Sequence, residues 1–134
     1  MDFNSEIIAE FRAHDGRVGG QFEGAPLLLL HTTGARSGQE RVNPVMYLPD
    51  GDRLLVFASK AGADDHPAWY HNLLAHPQVT VEVGSETYSA TATPLEGAER
   101  DEKYAEQARR YPGFAEYEAK TDRVIPVVAL VRTP

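Results

Sequence analysis

The stretch PLLLLHTTGARSGQERVNPVMYLPDGDRLLVFASK, residues 26–60, decides the fold. Its opening, residues 27–30, is an unbroken apolar run too short to cross a bilayer and bounded by Pro26 and by Thr32, Thr33 and Gly34, so it reads as a strand buried on both faces. Residues 41–48 read as a second strand, Asp50 and Gly51 as a DG reversal, and residues 53–58 as a third strand that ends at Ser59 and Lys60. Between the first two strands, residues 32–39 hold two glycines four apart, small hydroxylated neighbours and Arg36. Gly34 and Gly38 permit a tight turn that exposes backbone N–H groups beside a cation, a candidate anion cradle; the plainer reading is an ordinary hairpin connection.

Upstream, Ile7, Ile8 and Phe11 share one face of a short amphipathic helix that starts from Ser5 as N-cap and stops at Asp15 and Gly16. Its expected role is to pack on the strands. A membrane-surface role is the lesser reading, weakened by Glu6 and Glu10. A glycine-bearing loop, residues 17–24, leads into the first strand. Downstream, residues 61–66 form a polar loop, Pro67 takes the first position of a helix running to Ala75, and Trp69, Asn72 and Leu73 share a face of it. Residues 79–83 and 86–93 alternate about a turn at Gly84 and Ser85, with Thr87, Ser89, Thr91 and Thr93 on one face and Tyr88, Ala90 and Ala92 on the other. Helical patterns follow from Glu96 to Tyr111 and around Phe114 and Tyr117, and residues 125–131 complete the set as a central strand. Hairpin-linked strands argue for an antiparallel sheet, and six of them remove their edges most economically by closing into a small barrel with flanking helices, a mainly β, α+β architecture. The 134 residues suit one domain, with residues 1–20 as its N-terminal helix and loop.

Composition narrows the chemistry. The absence of cysteine excludes disulfides, thiolate nucleophiles and thiolate metal sites. A formal net charge of −7 with no basic run argues against nucleic-acid binding. His66, His71 and His76 are spaced by five, off one helical face, so no metal is expected. With neither a basic, apolar leader nor a membrane-length run, the expected location is the cytoplasm, with the inner face of the membrane as the alternative. No GxGxxG or GxSxG motif occurs, and no nucleophile or acid–base pair stands out, so the chemistry would come from a bound cofactor that the protein orients.

A series of blocks then occurs in order: Thr32, Thr33, Gly34, Arg36, Ser37 and Gly38; Arg41, Val42, Asn43 and Pro44; Ala58, Ser59, Lys60 and Gly62; Pro67, Trp69, Tyr70, Asn72, Leu73, His76 and Pro77; and Tyr111, Pro112, Tyr117, Thr121, Asp122, Arg123, Ile125 and Pro126. In these blocks the chain resembles the deazaflavin (F420)-dependent nitroreductase family, in its F420H2-dependent quinone reductase-like form. The resemblance implies the split β-barrel shared with FMN-binding oxidases. As cofactor it implies coenzyme F420, an 8-hydroxy-5-deazaflavin with a phosphate and an acidic glutamyl tail. The implied reaction is hydride transfer from the reduced deazaflavin to a small electron-poor acceptor, a quinone, an enone or a nitro compound.

Carried over residue by residue, the resemblance implies cofactor contacts from Arg36, Ser37, Arg41, Asn43, Pro44, Val45, Ala58, Ser59, Lys60, Ala61, Gly62, Ala63, Trp69 and Asn72. It implies an acceptor pocket walled by Tyr47, Tyr111, Phe114 and Tyr117, with the proton supplied by Ser59, Tyr111, Tyr117 or solvent. From the residues alone, Arg36 and Arg41 are equally ordinary surface charge, Trp69 a core anchor, and the aromatics at 111, 114 and 117 one helical face packed on the barrel. The middle aromatic here is Phe114, which cannot donate a hydrogen bond, so flat quinones are expected to be better acceptors than bulky bicyclic nitroimidazoles. The alternatives are an FMN-binding reductase of the same barrel and a non-catalytic carrier of F420 or a similar ligand.

Overall fold

In a computed structural model that describes residues 3–20 and 24–133, six strands close into a barrel: β1 (Leu27–Thr33), β2 (Glu40–Asp50), β3 (Arg53–Phe57), β4 (Gln78–Val83), β5 (Glu86–Pro94) and β6 (Val127–Arg132). They pair antiparallel in the order β1-β2-β3-β6-β5-β4. β1 closes the ring, pairing with β2 along its whole length, as at Leu29 and Pro44, and with β4 from Leu29 to His31, as at Leu30 and Val81. Leu28 and Leu30 pack with Val56, Val81, Ala90 and Leu130 in the interior. Leu27 and Leu29 point the other way, under Ile7, Phe11 and Val18. Burial on both sides explains why residues 27–30 show no polar alternation.

The flanking helices cover what the barrel leaves apolar. α1 (Phe3–Ala13) lies over β1 and β2, tied down by Arg12, which forks to both carboxylate oxygens of Glu82 at 3.1 and 2.7 Å, while His31 Nε2 meets the same carboxylate at 2.6 Å. The hydrogen bond from Arg12, above all, holds the Glu82 carboxyl below its usual range. Beyond α1, Gly16 seats on the β4–β5 turn so closely that a Cβ there would come within 2.7 Å of Gly84 Cα. α2 (Ala68–Ala75) buries Trp69 and Leu73 in the interior cluster. α3 (Gly97–Arg110) and α4 (Gly113–Ala119) supply Tyr104 and Phe114 to a second cluster against Leu48, Leu55, Phe57, Val127 and Ala129. The Tyr104 hydroxyl donates to the Phe114 carbonyl at 2.6 Å; burial pushes this phenol up to about 12, which keeps it a donor and fixes α3 against α4. No described helix is long and apolar enough to cross a membrane.

The alternation expected in β5 holds, with Ala90 and Ala92 buried and Thr87, Ser89 and Thr93 exposed. Several local expectations shift. α1 begins at Phe3, so Ser5 lies inside its first turn rather than at its N-cap. The β2–β3 reversal centres on Gly51 and Asp52, because Asp50 is still paired with Arg53 and Gly51 takes the positive φ of 63°. Pro67 is extended, with φ −66° and ψ 151°, and stands before α2 as its N-cap rather than at its first helical position. Within the loop 17–24, residues 21–23 lie outside the described residues.

Candidate functional site

β1 and β2 run on past the barrel core before they turn, carrying the face of Leu28 and Leu30 forward to Thr32, Arg41 and Asn43. There the 34–39 turn, α2 and the start of α1 border a groove of about 800 Å³, whose lining includes Arg36, Ser37, Arg41, Asn43 and Asn72 and, from α1, Ile8. The turn is closed by its own amides: Gly34 N–H donates to Gln39 O at 2.8 Å, Gly38 N–H to Gly34 O at 3.0 Å and Gln39 N–H to Ser37 Oγ at 3.1 Å. Asn72 anchors it from α2, accepting from Ala35 N–H at 3.0 Å while donating to Thr32 Oγ1 at 3.2 Å. A Cβ on Gly34 would collide with Ser37 Oγ. The cradle is therefore narrower than its glycines suggest, since only the amides of Arg36 and Ser37 lack a partner among the described residues. The exposed guanidinium groups of Arg36 and Arg41 form no ion pair among those residues.

A second group forms where β3 ends. Lys60, Ala61 and Gly62 follow one another with φ of 47°, 54° and 83°. A left-handed backbone costs a non-glycine residue roughly 1–2 kcal/mol, so the turn needs external support. Arg123, just ahead of β6, supplies it: Nε donates to Ala63 O at 2.7 Å, Nη2 to Ser59 O at 2.7 Å, and Nη1 to Ala58 O at 3.1 Å and to His66 Nδ1 at 3.0 Å. Ser59 is right-handed, with φ −76° and ψ −37°, and a right-handed residue followed by left-handed ones gathers amides around an anion or a carbonyl oxygen. The N–H groups of Lys60 and Ala61, and Ser59 Oγ, have no partner among the described residues. The Lys60 ammonium is paired with Asp65 at 3.0 Å and does not line the arginine groove, so the three cations that the resemblance implies as cofactor contacts do not share one groove.

To accept from Arg123, His66 must be neutral. Burial first, then Arg123 and His71, hold its imidazole below the ordinary value of 6.5. On acidification the unfolded chain takes up this proton before the folded one does, so the stabilisation is complete above pH 6.5 and is lost as pH falls through the lower folded value. Thermal midpoints followed by circular dichroism from neutral to mildly acid pH should fall in the wild type and fall less in His66→Asn, which keeps an acceptor without a titrating ring. Equal declines would contradict this role for His66.

The aromatics do not form one helical face. Tyr111 is the C-cap of α3, and Pro112 separates it from α4, which carries Phe114 and Tyr117. Phe114 is buried against Phe57 and Tyr104, with ring centroids 5.7 and 6.4 Å away, and Tyr117 stacks edge-on to it at 5.2 Å. Phe114 is thus a core residue, the packing alternative to its place in a pocket wall. Tyr111 borders a different opening of about 1050 Å³, shared with Glu10, Arg17, Pro49 and Arg110, which has no lining residue in common with the arginine groove. That opening is the larger, but the paired donors suited to an anionic cofactor lie at the smaller. Trp69 and Ala58 belong to the interior cluster, Val45 and Tyr47 pack half-buried against it, and Pro44 faces the α1 side with Leu29. Tyr117 alone of the aromatics meets the strained turn, its backbone lying against Gly62.

Arg36, Ser37, Arg41, Asn43 and Asn72 are thus brought together in one place, and Ser59, Lys60, Ala61, Gly62, Ala63 and Tyr117 in another. Arg123 and His66, which were not among the expected site residues, hold the second group. Arg123 stands in the last block of the family resemblance, but nothing local gives it a role, because its acceptors lie 57 to 65 residues away in the chain. Among the described residues, no group of three or more metal-ligating side chains gathers.

A family model described as F420H2-dependent quinone reductase matches residues 5–132. The chain belongs to that family. It is 42% identical over 133 residues to an F420H2-dependent quinone reductase of Mycobacterium tuberculosis, across 92% of this chain and 86% of the relative. A solved F420H2-dependent reductase superposes with a TM-score of 0.71 at 42% identity, across 78% of this chain and 93% of that one. The heme storage protein HutZ of Vibrio cholerae, at 18% identity and a TM-score of 0.62 over 100% of this chain and 92% of that one, shares the fold alone. The cofactor that names the F420H2-dependent quinone reductase family is anionic at its tail and carries carbonyl oxygens on a flat ring. The unpaired arginines suit the first and the unpaired amides of Lys60 and Ala61 the second, so the residues present fit the group.

Proposed function

We propose that this chain transfers a hydride from reduced F420 to a small quinone, and that it binds the cofactor tail in the arginine groove and the ring at the 59–63 turn. The observation that carries the proposal is the groove itself, which presents two guanidinium groups without counter-ions on a protein of net charge −7. When bound, reduced deazaflavin supplies two electrons as a hydride. Arg36 and Arg41 hold the phosphate and acidic tail through charge-assisted bonds of roughly 1.5–3 kcal/mol each. The amides of Arg36 and Ser37 and the side chain of Asn43 complete that end. Lys60, neutralised in part by Asp65, contributes less than the arginines.

At the turn, the amides of Lys60 and Ala61 orient the ring, with Trp69 as the buried support beneath this end of the barrel. Ser59 Oγ, unpaired at the mouth of β3, holds the proton that must accompany the hydride. Tyr117 is better placed than Tyr111 to wall the acceptor site, because it abuts the turn. With Phe114 buried in the core, its missing hydroxyl does not set the acceptor preference, which falls to the residues around the 59–63 turn.

Side-by-side titrations with F420 and FMN, read by fluorescence anisotropy, test the cofactor: F420 should bind tightly and FMN weakly, and the reverse order would overturn the proposal. Ser59→Ala should lower kcat with menadione about tenfold or more and change F420 affinity less than about twofold, the pattern of an interaction made mainly in the transition state. An unchanged kcat would reduce Ser59 to a strand-end residue.

A further inference from the structure

We infer that Arg123 is a positioning residue for this reaction: it grips the carbonyls on both flanks of the 60–62 turn and so holds Lys60 and Ala61 in the left-handed backbone that presents their amides to the cofactor ring. The inference rests on reading that turn as a cofactor contact. Arg123 touches neither end of the arginine groove. Its guanidinium instead fixes Ala58 O and Ser59 O before the turn and Ala63 O after it, within a span of 2.7–3.1 Å. The side chain is itself oriented at the backbone, where Arg123 N–H donates to Thr121 Oγ1 at 3.2 Å, and at Nη1, where the His66 ring accepts.

Two features set this arrangement apart from ordinary loop packing. Lys60 and Ala61 are non-glycine residues at φ 47° and 54°, and without a hold on both flanks they would relax toward right-handed backbone and carry the amides away. The hold is also electrostatically unusual. Among the described residues no carboxylate is bonded to Arg123, its acceptors being carbonyls and a neutral imidazole, so its charge, offset in part through space by Asp65, adds to the positive field behind the turn. Gly62 is also closely approached by the Tyr117 backbone, so the turn is held by α4 as well as by Arg123. Lysine cannot replace the clamp, since a single ammonium lacks the planar fork that reaches separated acceptors.

The test compares wild type, Arg123→Lys, Arg123→Gln and Arg123→Gln/Ala61→Gly by F420 anisotropy titration, by amide hydrogen exchange of residues 59–63 without cofactor, and by thermal midpoint. Arg123→Gln should weaken F420 binding about tenfold or more and speed exchange in the turn, with Arg123→Lys intermediate. Ala61→Gly should then recover several-fold in affinity, because glycine takes a φ of 54° without cost. A merely structural arginine would lower the midpoint but give no such rescue. Wild-type affinity in Arg123→Gln, or a loss that Ala61→Gly leaves untouched, overturns the inference. If Arg123→Gln does not fold, the same pair of measurements is made on Arg123→Lys with and without Ala61→Gly. Should the wild type itself fail to bind F420, the cofactor reading falls, and the exchange data then decide the clamp separately: unchanged exchange at Gly62 and Ala63, whose amides are hydrogen-bonded within the turn, overturns it.

Discussion

Replacing Arg36 and Arg41 together by alanine is expected to weaken F420 binding by about two orders of magnitude, and each single replacement by about tenfold. Each exposed, water-screened guanidinium contributes near the lower end of about 1.5–3 kcal/mol for a charge-assisted contact, and about 1.4 kcal/mol corresponds to each tenfold. A protein of net charge −7 repels an anionic ligand at long range, so the local guanidinium groups must overcome that field as well as make contacts. Raising the salt concentration should therefore weaken wild-type binding and have little effect on the double variant. Calorimetric titration at two ionic strengths reads both outcomes. A double variant that binds within about threefold of wild type would place the acidic tail elsewhere.

Gly62→Ala is expected to cost about 2–5 kcal/mol of stability and to reduce F420 affinity with it. About 1–2 kcal/mol comes from forcing a side chain into left-handed backbone at φ 83°, and about 1–3 kcal/mol from overpacking. The added Cβ would lie 2.9 Å from the Tyr117 carbonyl oxygen and 3.0 Å from Tyr117 Cα, and backbone atoms of a helix cannot swing aside as a side chain can. Gly51→Ala is the matched control: it has φ 63°, yet its Cβ would meet nothing within 4 Å, so it carries the backbone strain without the contact. Urea denaturation should show the larger loss for Gly62→Ala, and only that variant should lose cofactor affinity. Equal effects at the two positions would mean that α4 does not press on the turn.

Much of the fold was legible because burial leaves a signature in residue order. Residues 27–30 lack alternation since both faces are covered, and Tyr88, Ala90 and Ala92 alternate with threonines since β5 has one covered face. The arginine groove was legible for a related reason: Arg36, Ser37, Arg41 and Asn43 belong to one hairpin, so proximity in the chain becomes proximity in space. What could not be read depends on partners chosen by the closed barrel. Arg123 and its carbonyls are brought together only when β6 pairs with β3. Likewise, the amides of the 34–39 turn are consumed by closing the turn and by Asn72 from α2, which glycine spacing does not reveal. The break between two helices at Pro112 is legible in the sequence, but the three-residue spacing of Tyr111, Phe114 and Tyr117 reads as one aromatic face, whereas Tyr111 caps α3 and borders another surface.

The central claim is tested most directly by mixing the protein anaerobically with F420H2 and menadione and following the return of the oxidised deazaflavin's visible absorbance. Rapid oxidation that requires the protein and is lost in the Arg36→Ala/Arg41→Ala variant is the predicted result. Tight F420 binding with no protein-dependent oxidation by menadione or any other quinone would contradict it and leave a carrier in place of a reductase.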